Sequence, residues 1–526
     1  MKRRDFVNQG LWVGAAGFGL PGVLRAQQAP GAIVRDSERP QLPSGVASGD
    51  VTSDSAIVWA RSDRPARMWI EWSTRESFAD ARRVRGPHLL EDSDHTGRID
   101  LQGLPRGQEI HYRVLLQDLG NERVLSQPQA GRLRLAPVLP RDIRLVWSGD
   151  TAGQGWGINA EWGGMRLYEQ MRRVQPDLFL HCGDTIYADG PIQPEVRLPD
   201  GRVWRNLVTP EVAKVAETLD EFRGRYRYNL LDQNVRRFAS EVAQVWQWDD
   251  HEVTNNWSLS KDLSGDARYS EKRVPLLTAR ATRAFLDYAP LRRAGDIESE
   301  RVYRRIPYGP LLDVFVIDMR SYRGPNTDNL QDHDGPDTVF LGKPQIAWLL
   351  DGLRRSRATW KVIASDMPLG LQVPDGQDAS GRPRWEAVAN AEDGPPRGRE
   401  RELALLLREI RRARIENIVW LTADVHYTAA HYYDPAQARF SDFDPFWEFV
   451  SGPLHAGSFG PNAPDATFGL QVVYQKAAPV PNAPPSDGFQ FFGQVDIDGR
   501  TRTMTVTLKD LAGEALYRKT LWPARG

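Results

Sequence analysis

Four apolar runs in this chain each end directly in acidic or histidine residues. Arg144-Leu145-Val146-Trp147-Ser148 runs into Gly149-Asp150, and Leu178-Phe179-Leu180-His181-Cys182 into Gly183-Asp184-Thr185-Ile186-Tyr187-Ala188-Asp189. Residues 242–248 end in Asp249-Asp250-His251-Glu252, with Asn255-Asn256 close behind, and Val419-Trp420-Leu421 leads into Ala423-Asp424-Val425-His426-Tyr427. Short apolar runs of this kind read as buried strands. Met165, Tyr168, Met171 and Val174 recur at helical spacing between the first two, which makes a βαβ unit with parallel strands in a covered sheet. Ligands of open α/β sheets gather at the carboxyl ends of strands, so all four groups are directed to one edge.

Taken singly, each group has a plain structural explanation. Gly-Asp after a strand is a turn, Asp249-Asp250-His251 is a helix cap, and His426 is a satisfied core histidine. All four at strand ends are hard to explain that way, because carboxylates brought together repel unless cations neutralise them. Mixed carboxylate, amide and imidazole donors suit hard or borderline cations, and Tyr187 adds a preference for ferric iron. Two metals bridged by a carboxylate would lower the pKa of a bound water and clamp an in-line phosphoryl displacement. The chain has no Gly-x-Ser-x-Gly elbow and no Walker loop.

With 526 residues, two domains are expected. Residues 42–136 carry short alternating runs, among them Ser55-Ala56-Ile57-Val58-Trp59-Ala60, Met68-Trp69-Ile70-Glu71-Trp72 and His111-Tyr112-Arg113-Val114-Leu115-Leu116, separated by turn residues. That spacing predicts a small fibronectin- or immunoglobulin-like β-sandwich of structural character. Residues 141–526 form the second domain, with further strands at 311–317, 360–364 and 417–421 and helices at 345–353 and 402–410. Alternation around Asp498-Gly499 predicts a C-terminal hairpin, and the Pro- and Ala-rich residues 461–485 a long surface loop.

Sixty-eight basic residues balance 69 acidic ones, a net charge of −1, and no basic tract marks a nucleic-acid surface. The lone cysteine, Cys182, excludes an intramolecular disulfide and reads as a small buried hydrophobe. Met1-Lys2-Arg3-Arg4-Asp5-Phe6, an uncharged Gly- and Ala-rich stretch from Gly10 to Leu24, and Ala26 have the layout of a twin-arginine signal over residues 1–26, followed by a linker at 27–41. The stretch is too short and glycine-rich to span a membrane. The expected location is therefore periplasmic or secreted, with the twin-arginine export machinery as a partner.

The motif order resembles the calcineurin-like metallophosphoesterases. Gly183-Asp184-Thr185-Ile186-Tyr187, Trp248-Asp249-Asp250-His251-Glu252 with Asn255-Asn256-Trp257, and Asp424-Val425-His426 resemble the alkaline phosphatase D family, as do Gly45-Val46-Ala47-Ser48-Gly49-Asp50 and Ser55-Ala56-Ile57-Val58-Trp59 near the N-terminus. The resemblance implies a four-layer αββα domain behind a small all-β sandwich. It implies phosphomonoesterase or phosphodiesterase activity on a small phosphate ester, with Fe3+ and Ca2+ as metals. By position Asp184 bridges them, Asp150, Tyr187 and His426 bind the first, and Asp250 and Asp424 bind the second with Asn255 or Asn256 nearby. His251 stands over the leaving group as general acid or phosphate-orienting donor. Iron-binding members often carry a cysteine where this chain has Asp150. Asp250 and Asp424 replace ligands that are Asn or His in the wider superfamily, an acid-rich change that favours calcium.

Arg320 or Arg323, just after residues 311–317, is a candidate phosphate contact, an ion pair within the loop being the alternative. His455 and Asn256 are candidate substrate contacts, and Asp366 a further ligand candidate. Two other readings stand beside the phosphoesterase: a phospholipase- or phosphotriesterase-like hydrolase at the same site, and a non-catalytic calcium-stabilised binding protein. The last has no use for an imidazole at His251.

Overall fold

A computed structural model describes residues 34–295 and 298–524. The expected signal at 1–26 and residues 27–33 of the expected linker lie outside them. Two β-sheets face each other and helices cover their outer surfaces, which is the αββα arrangement.

The first sheet has nine strands. Ile143–Ser148, Leu178–Cys182 and Ala243–Gln247 lie parallel at its centre. The pairs Ser148↔His181 and Gln247↔Cys182 bring their carboxyl ends level, so the following loops emerge side by side. The expected hairpin forms as Phe491–Ile497 and Met504–Asp510 and joins this sheet against Ile143–Ser148. In the second sheet Leu312–Val316, Trp360–Ala364, Ile418–Thr422 and Phe446–Val450 run parallel. Leu145, Trp147, Leu180 and Val245 pack between the sheets against Val314, Val362 and Leu421.

The helices follow from apolar spacing. In Glu400–Arg412, Leu403, Leu406, Leu407 and Ile410 bury one face against Ile363 and Trp420 of the second sheet, while Leu405 points to solvent. Glu400 and Glu402 in its first turn and Arg411 and Arg412 in its last match the helix dipole. Burying a side chain such as Leu407 contributes about 1.5–3 kcal/mol. Arg166–Arg173 and Val274–Tyr288 cover the first sheet in the same way through Met171 and Phe285.

Two expectations need amendment. Residues 461–485 are not all loop: Leu470–Lys476 is a strand pairing with Thr428–Tyr433 at the edge of the second sheet. With one neighbour it leaves Val472 and Val473 exposed and shows no clean alternation to read. The N-terminal sandwich does form, from a four-stranded sheet (Ala66–Ser73, Arg82–Leu89, Glu109–Asp118, Gln129–Arg134) facing Val46–Gly49, Ala56–Arg61 and Thr96–Leu101. Those last three strands also continue the first sheet, through the pair Gly49↔Gln244. The two regions therefore share a sheet, pinned by Asp50 on Arg304 (2.6 Å) and by the Trp59 indole on the Asp287 carbonyl (2.8 Å).

Candidate metal centre

The loops after Ser148, Cys182, Gln247 and Thr422 meet where the two sheets come together. Three overlapping groups form there, in each of which the donor atoms lie within 4.8 Å of one another: Asp150, Asp184 and His426; Asp184, Asp250 and His251; Asp249, Asp250 and Asp424. Asp184 belongs to the first two and Asp250 to the last two. The backbone is strained to achieve this: Asp150, Asp184, Asp424 and His426 all have φ between 53° and 66°. Such strain persists only where the surroundings enforce it, and it concentrates at functional sites.

Asp150 is fully buried and neither carboxylate oxygen has a hydrogen-bond partner. Gly452 seats it, since a Cβ there would lie 2.2 Å from Asp150 Oδ2. Burial pushes the carboxyls of Asp150 and Asp184 well above the usual range. A buried acid with two orphaned oxygens beside a second acid fits a cation. Tyr187 and His426 complete this end, with the phenol oxygen 2.9 Å from His426 Nε2. His426 Nδ1 donates to the Gly457 carbonyl, so Nε2 keeps its lone pair and faces Tyr187. Burial lowers the His426 pKa to about 4, so the ring is neutral at neutral pH and able to ligate.

His251 occupies the mouth. Its side chain is 13% exposed and that of Asp424 11%, whereas Asp150 shows 0%. The ring stacks on Tyr187 (4.4 Å), and Nδ1 lies 2.6 Å from Asp189 Oδ1. Burial opposes charging of the imidazole, but Asp189, Asp250 and Asp184 outweigh it and hold its pKa well above the ordinary value. Asp189 is correspondingly held at about 2 against its own burial.

Six of the candidate residues find their partners within the protein. Arg320 does not reach an open cleft: it is fully buried, with Nε on Asp249 (2.7 Å) and Asp366 (2.9 Å), another nitrogen on Glu386 and a third 3.7 Å from Asp424. The surrounding acids capture it, and Asp366 is thereby committed to an ion pair. Arg323 is buried against the Glu386 carbonyl and the Phe340 ring. His455 is buried with Nε2 on the Gly157 carbonyl (2.9 Å) and its ring against Trp204. Asn255 has an exposed side chain and contributes its backbone N–H, to Asp189 (2.8 Å). Asn256 likewise donates its N–H to Asp250 (2.5 Å), while its amide donates to Asp375 (2.9 Å). Cys182 is buried with Sγ 3.8 Å from the Leu421 carbonyl.

Residues 145–508 match the family described as PhoD-like phosphatase, and residues 26–137 match the PhoD-like phosphatase N-terminal domain. The chain belongs to the PhoD-like phosphatase family. Alkaline phosphatase D of Bacillus subtilis (strain 168) is 28% identical over 401 residues, which is 73% of this chain and 64% of that protein; the chain thus matches less than two thirds of that relative's length. Among solved structures, PhoD superposes with a TM-score of 0.67 at 20% identity, covering 92% of both chains. The purple acid phosphatase PPD1 from yellow lupin (Lupinus luteus) seeds superposes with a TM-score of 0.55 at 13% identity, over 92% of this chain and 74% of its own. Both likenesses concern the fold.

Three residues of this PhoD-like site escaped sequence reasoning. Asp189 orients His251. Glu252 accepts the backbone N–H groups of Asp184 (3.1 Å), Thr185 (2.6 Å) and Asp249 (2.7 Å), tying two ligand-bearing loops together. Glu386 stands on Arg320. Asp189 and Glu252 lay inside the acidic motifs, yet only folding separates an acid that faces a metal from one that faces a backbone. Glu386 lies far from every motif and carried no signal.

Proposed function

We propose that this protein hydrolyses phosphoric esters at a multinuclear metal centre. The observation that supports this best is the pair of donor groups sharing Asp184, with both Asp150 oxygens buried and unpartnered on one side and His251 held by Asp189 on the other. In this reading Asp184 would be shared between two ions. Asp150, Tyr187 and His426 would hold the first, ferric iron, to which the phenol of Tyr187 is suited. Asp250 and Asp424 would hold the second, calcium, which favours an all-oxygen set. Bound there, the ions would acidify a water and offset the charge of the phosphoryl group.

The remaining work falls to the chain. The Asp189 carboxylate accepts from Nδ1–H, fixes the tilt of His251 and favours the imidazolium form, in which Nε2 bears the second proton. That proton serves the leaving-group oxygen as its ester bond breaks. Stacking on Tyr187 holds the imidazole plane over the cluster. The burial of Asp150, Asp184 and His426 keeps bulk water from the phosphoryl group. Monoester and diester substrates both suit this arrangement, with selection left to residues 189–240 and 456–488. No described helix is long and apolar enough to cross a membrane. Export through the twin-arginine route remains part of the proposal and rests on residues 1–26 alone.

Elemental analysis after exhaustive dialysis tests the centre: two or more ions per chain, iron among them, are expected. A folded protein that holds no metal and gains no hydrolysis of paired monoester and diester substrates with iron or calcium would remove the phosphoesterase reading. His251→Ala should cut turnover by about 10²–10⁴-fold while metal content stays at the parent level. Parent-level turnover in that variant would strip His251 of its role.

A further inference from the structure

Asn482 lies on a loop remote in sequence from every motif above, yet its amide joins the two segments that brace Tyr187 and His426. Its Oδ1 accepts from the Trp156 indole at 2.8 Å, and its Nδ2 donates to the Gln154 carbonyl at 3.1 Å. Gly153, the residue before Gln154, lies flat under Tyr187; a Cβ there would sit 2.1 Å from the phenol ring. On the other side Ala483 exchanges both backbone hydrogen bonds with Ser458, at 3.0 Å each. Gly457, immediately before Ser458, supplies the carbonyl that accepts from His426 Nδ1. The packing leaves no slack, since a Cβ on Gly457 would fall 1.8 Å from Asn482 Oδ1 and 2.8 Å from the Trp156 nitrogen. Asn482 itself has φ of 54°, a left-handed conformation that a short polar residue tolerates.

One side chain therefore links the floor beneath the phenol to the carbonyl that aims the imidazole, and those two groups face each other across 2.9 Å. We infer that Asn482 is a positioning residue for the first metal site, holding the Tyr187 oxygen and His426 Nε2 at the separation a shared ion requires. This rests on the reading of Tyr187 and His426 as ligands of one ion. Trp156 acts with Asn482 as the second half of the latch. Partners that orient a ligating histidine are commonly worth about 10–100-fold in metal affinity.

Titration of the metal-depleted full-length protein with Co2+, read by visible absorption, tests this without recourse to activity. Asn482→Gly keeps the positive φ free of strain and removes the amide. Asn482→Asp retains the acceptor for Trp156, and Trp156→Phe retains the ring and removes the donor. The parent is expected to bind Co2+ with bands set by its oxygen and nitrogen ligands. Asn482→Gly should shift those bands and weaken the first binding step by about tenfold or more. Trp156→Phe should move both readouts in the same direction, and Asn482→Asp, which keeps the acceptor for Trp156 but loses the donor to the Gln154 carbonyl, should fall between the parent and Asn482→Gly. Parent-like bands and affinity in both Asn482→Gly and Trp156→Phe would overturn the inference. So would a loss matched by an equal fall in the melting temperature of the metal-free protein, which would make Asn482 a general stabiliser. A parent that binds no Co2+ would sink the metal-ligand reading itself, and the inference with it. Should Asn482→Gly fail to fold, Trp156→Phe carries the test alone.

Discussion

The two ends of the acidic cluster solve the same electrostatic problem differently. Around Arg320, the carboxylates of Asp249, Asp366 and Glu386 converge on a guanidinium that the chain supplies. Asp150, by contrast, has no Lys or Arg among the described residues as an ion-pair partner, and both its oxygens lack a hydrogen bond. A protein-borne cation is permanent and cannot be exchanged. Buried acids left without one are neutralised by a proton or by a cation from solution. The difference distinguishes acids balanced by a guanidinium from an acid that is not, with Asp249 and Asp424 at the border between them.

The largest expected effect tests the first half of that contrast. Arg320→Met strands three buried carboxylates and should destabilise the metal-free protein by about 3–5 kcal/mol, read by urea unfolding. A variant as stable as the parent would show that the acids are balanced by something other than the guanidinium. Asp150→Asn tests the other half. In metal-free protein it should match or exceed the parent's stability, because it removes an unpartnered buried acid. The rise in melting temperature that metal gives the parent should shrink or vanish, because stabilisation by a ligand follows its affinity. Equal metal-dependent stabilisation in both proteins would erase the distinction drawn here.

Glu400 offers a smaller, site-independent check on what a buried acid does without a cation. Burial and then Asp465 raise its pKa to about 8, despite hydrogen bonds from the Asn390 amide (2.8 Å) and the Arg397 N–H (3.1 Å). Its folded pKa lies above the unfolded value, so its contribution to stability is present below pH about 4.5 and lost as pH rises toward about 8. The decline should amount to a few kcal/mol, on the order set by a shift of this size, and Glu400→Gln should flatten it. Urea midpoints across that window decide the matter; a slope unchanged in the Gln variant would assign the pH dependence to other groups.

Much of this was legible in the chain. The strands of the central βαβ unit, the C-terminal hairpin and the helices near 345–353 and 402–410 follow from apolar spacing, which is a local property. The strand at Leu470–Lys476 was not legible, because an edge strand with exposed valines has no buried face to impose alternation. Nor was the continuity between the N-terminal sandwich and the first sheet, which rests on one pair of residues almost 200 positions apart.

The acidic and histidine residues at strand ends determined by themselves that a charged cluster would form at one edge of the sheets, because strand direction and short loops leave those side chains little choice of place. They did not determine the fate of each charge. Arg320 looked like a phosphate contact and became the counterion of a buried network. Asp189 looked like one more acid and became the partner of His251. Asn482, without any motif, came to brace the site from a distant loop. A carboxylate behaves as ligand, staple or counterion according to which cation, N–H group or empty space faces it, and that is settled by segments far apart in sequence that meet only when the chain is folded.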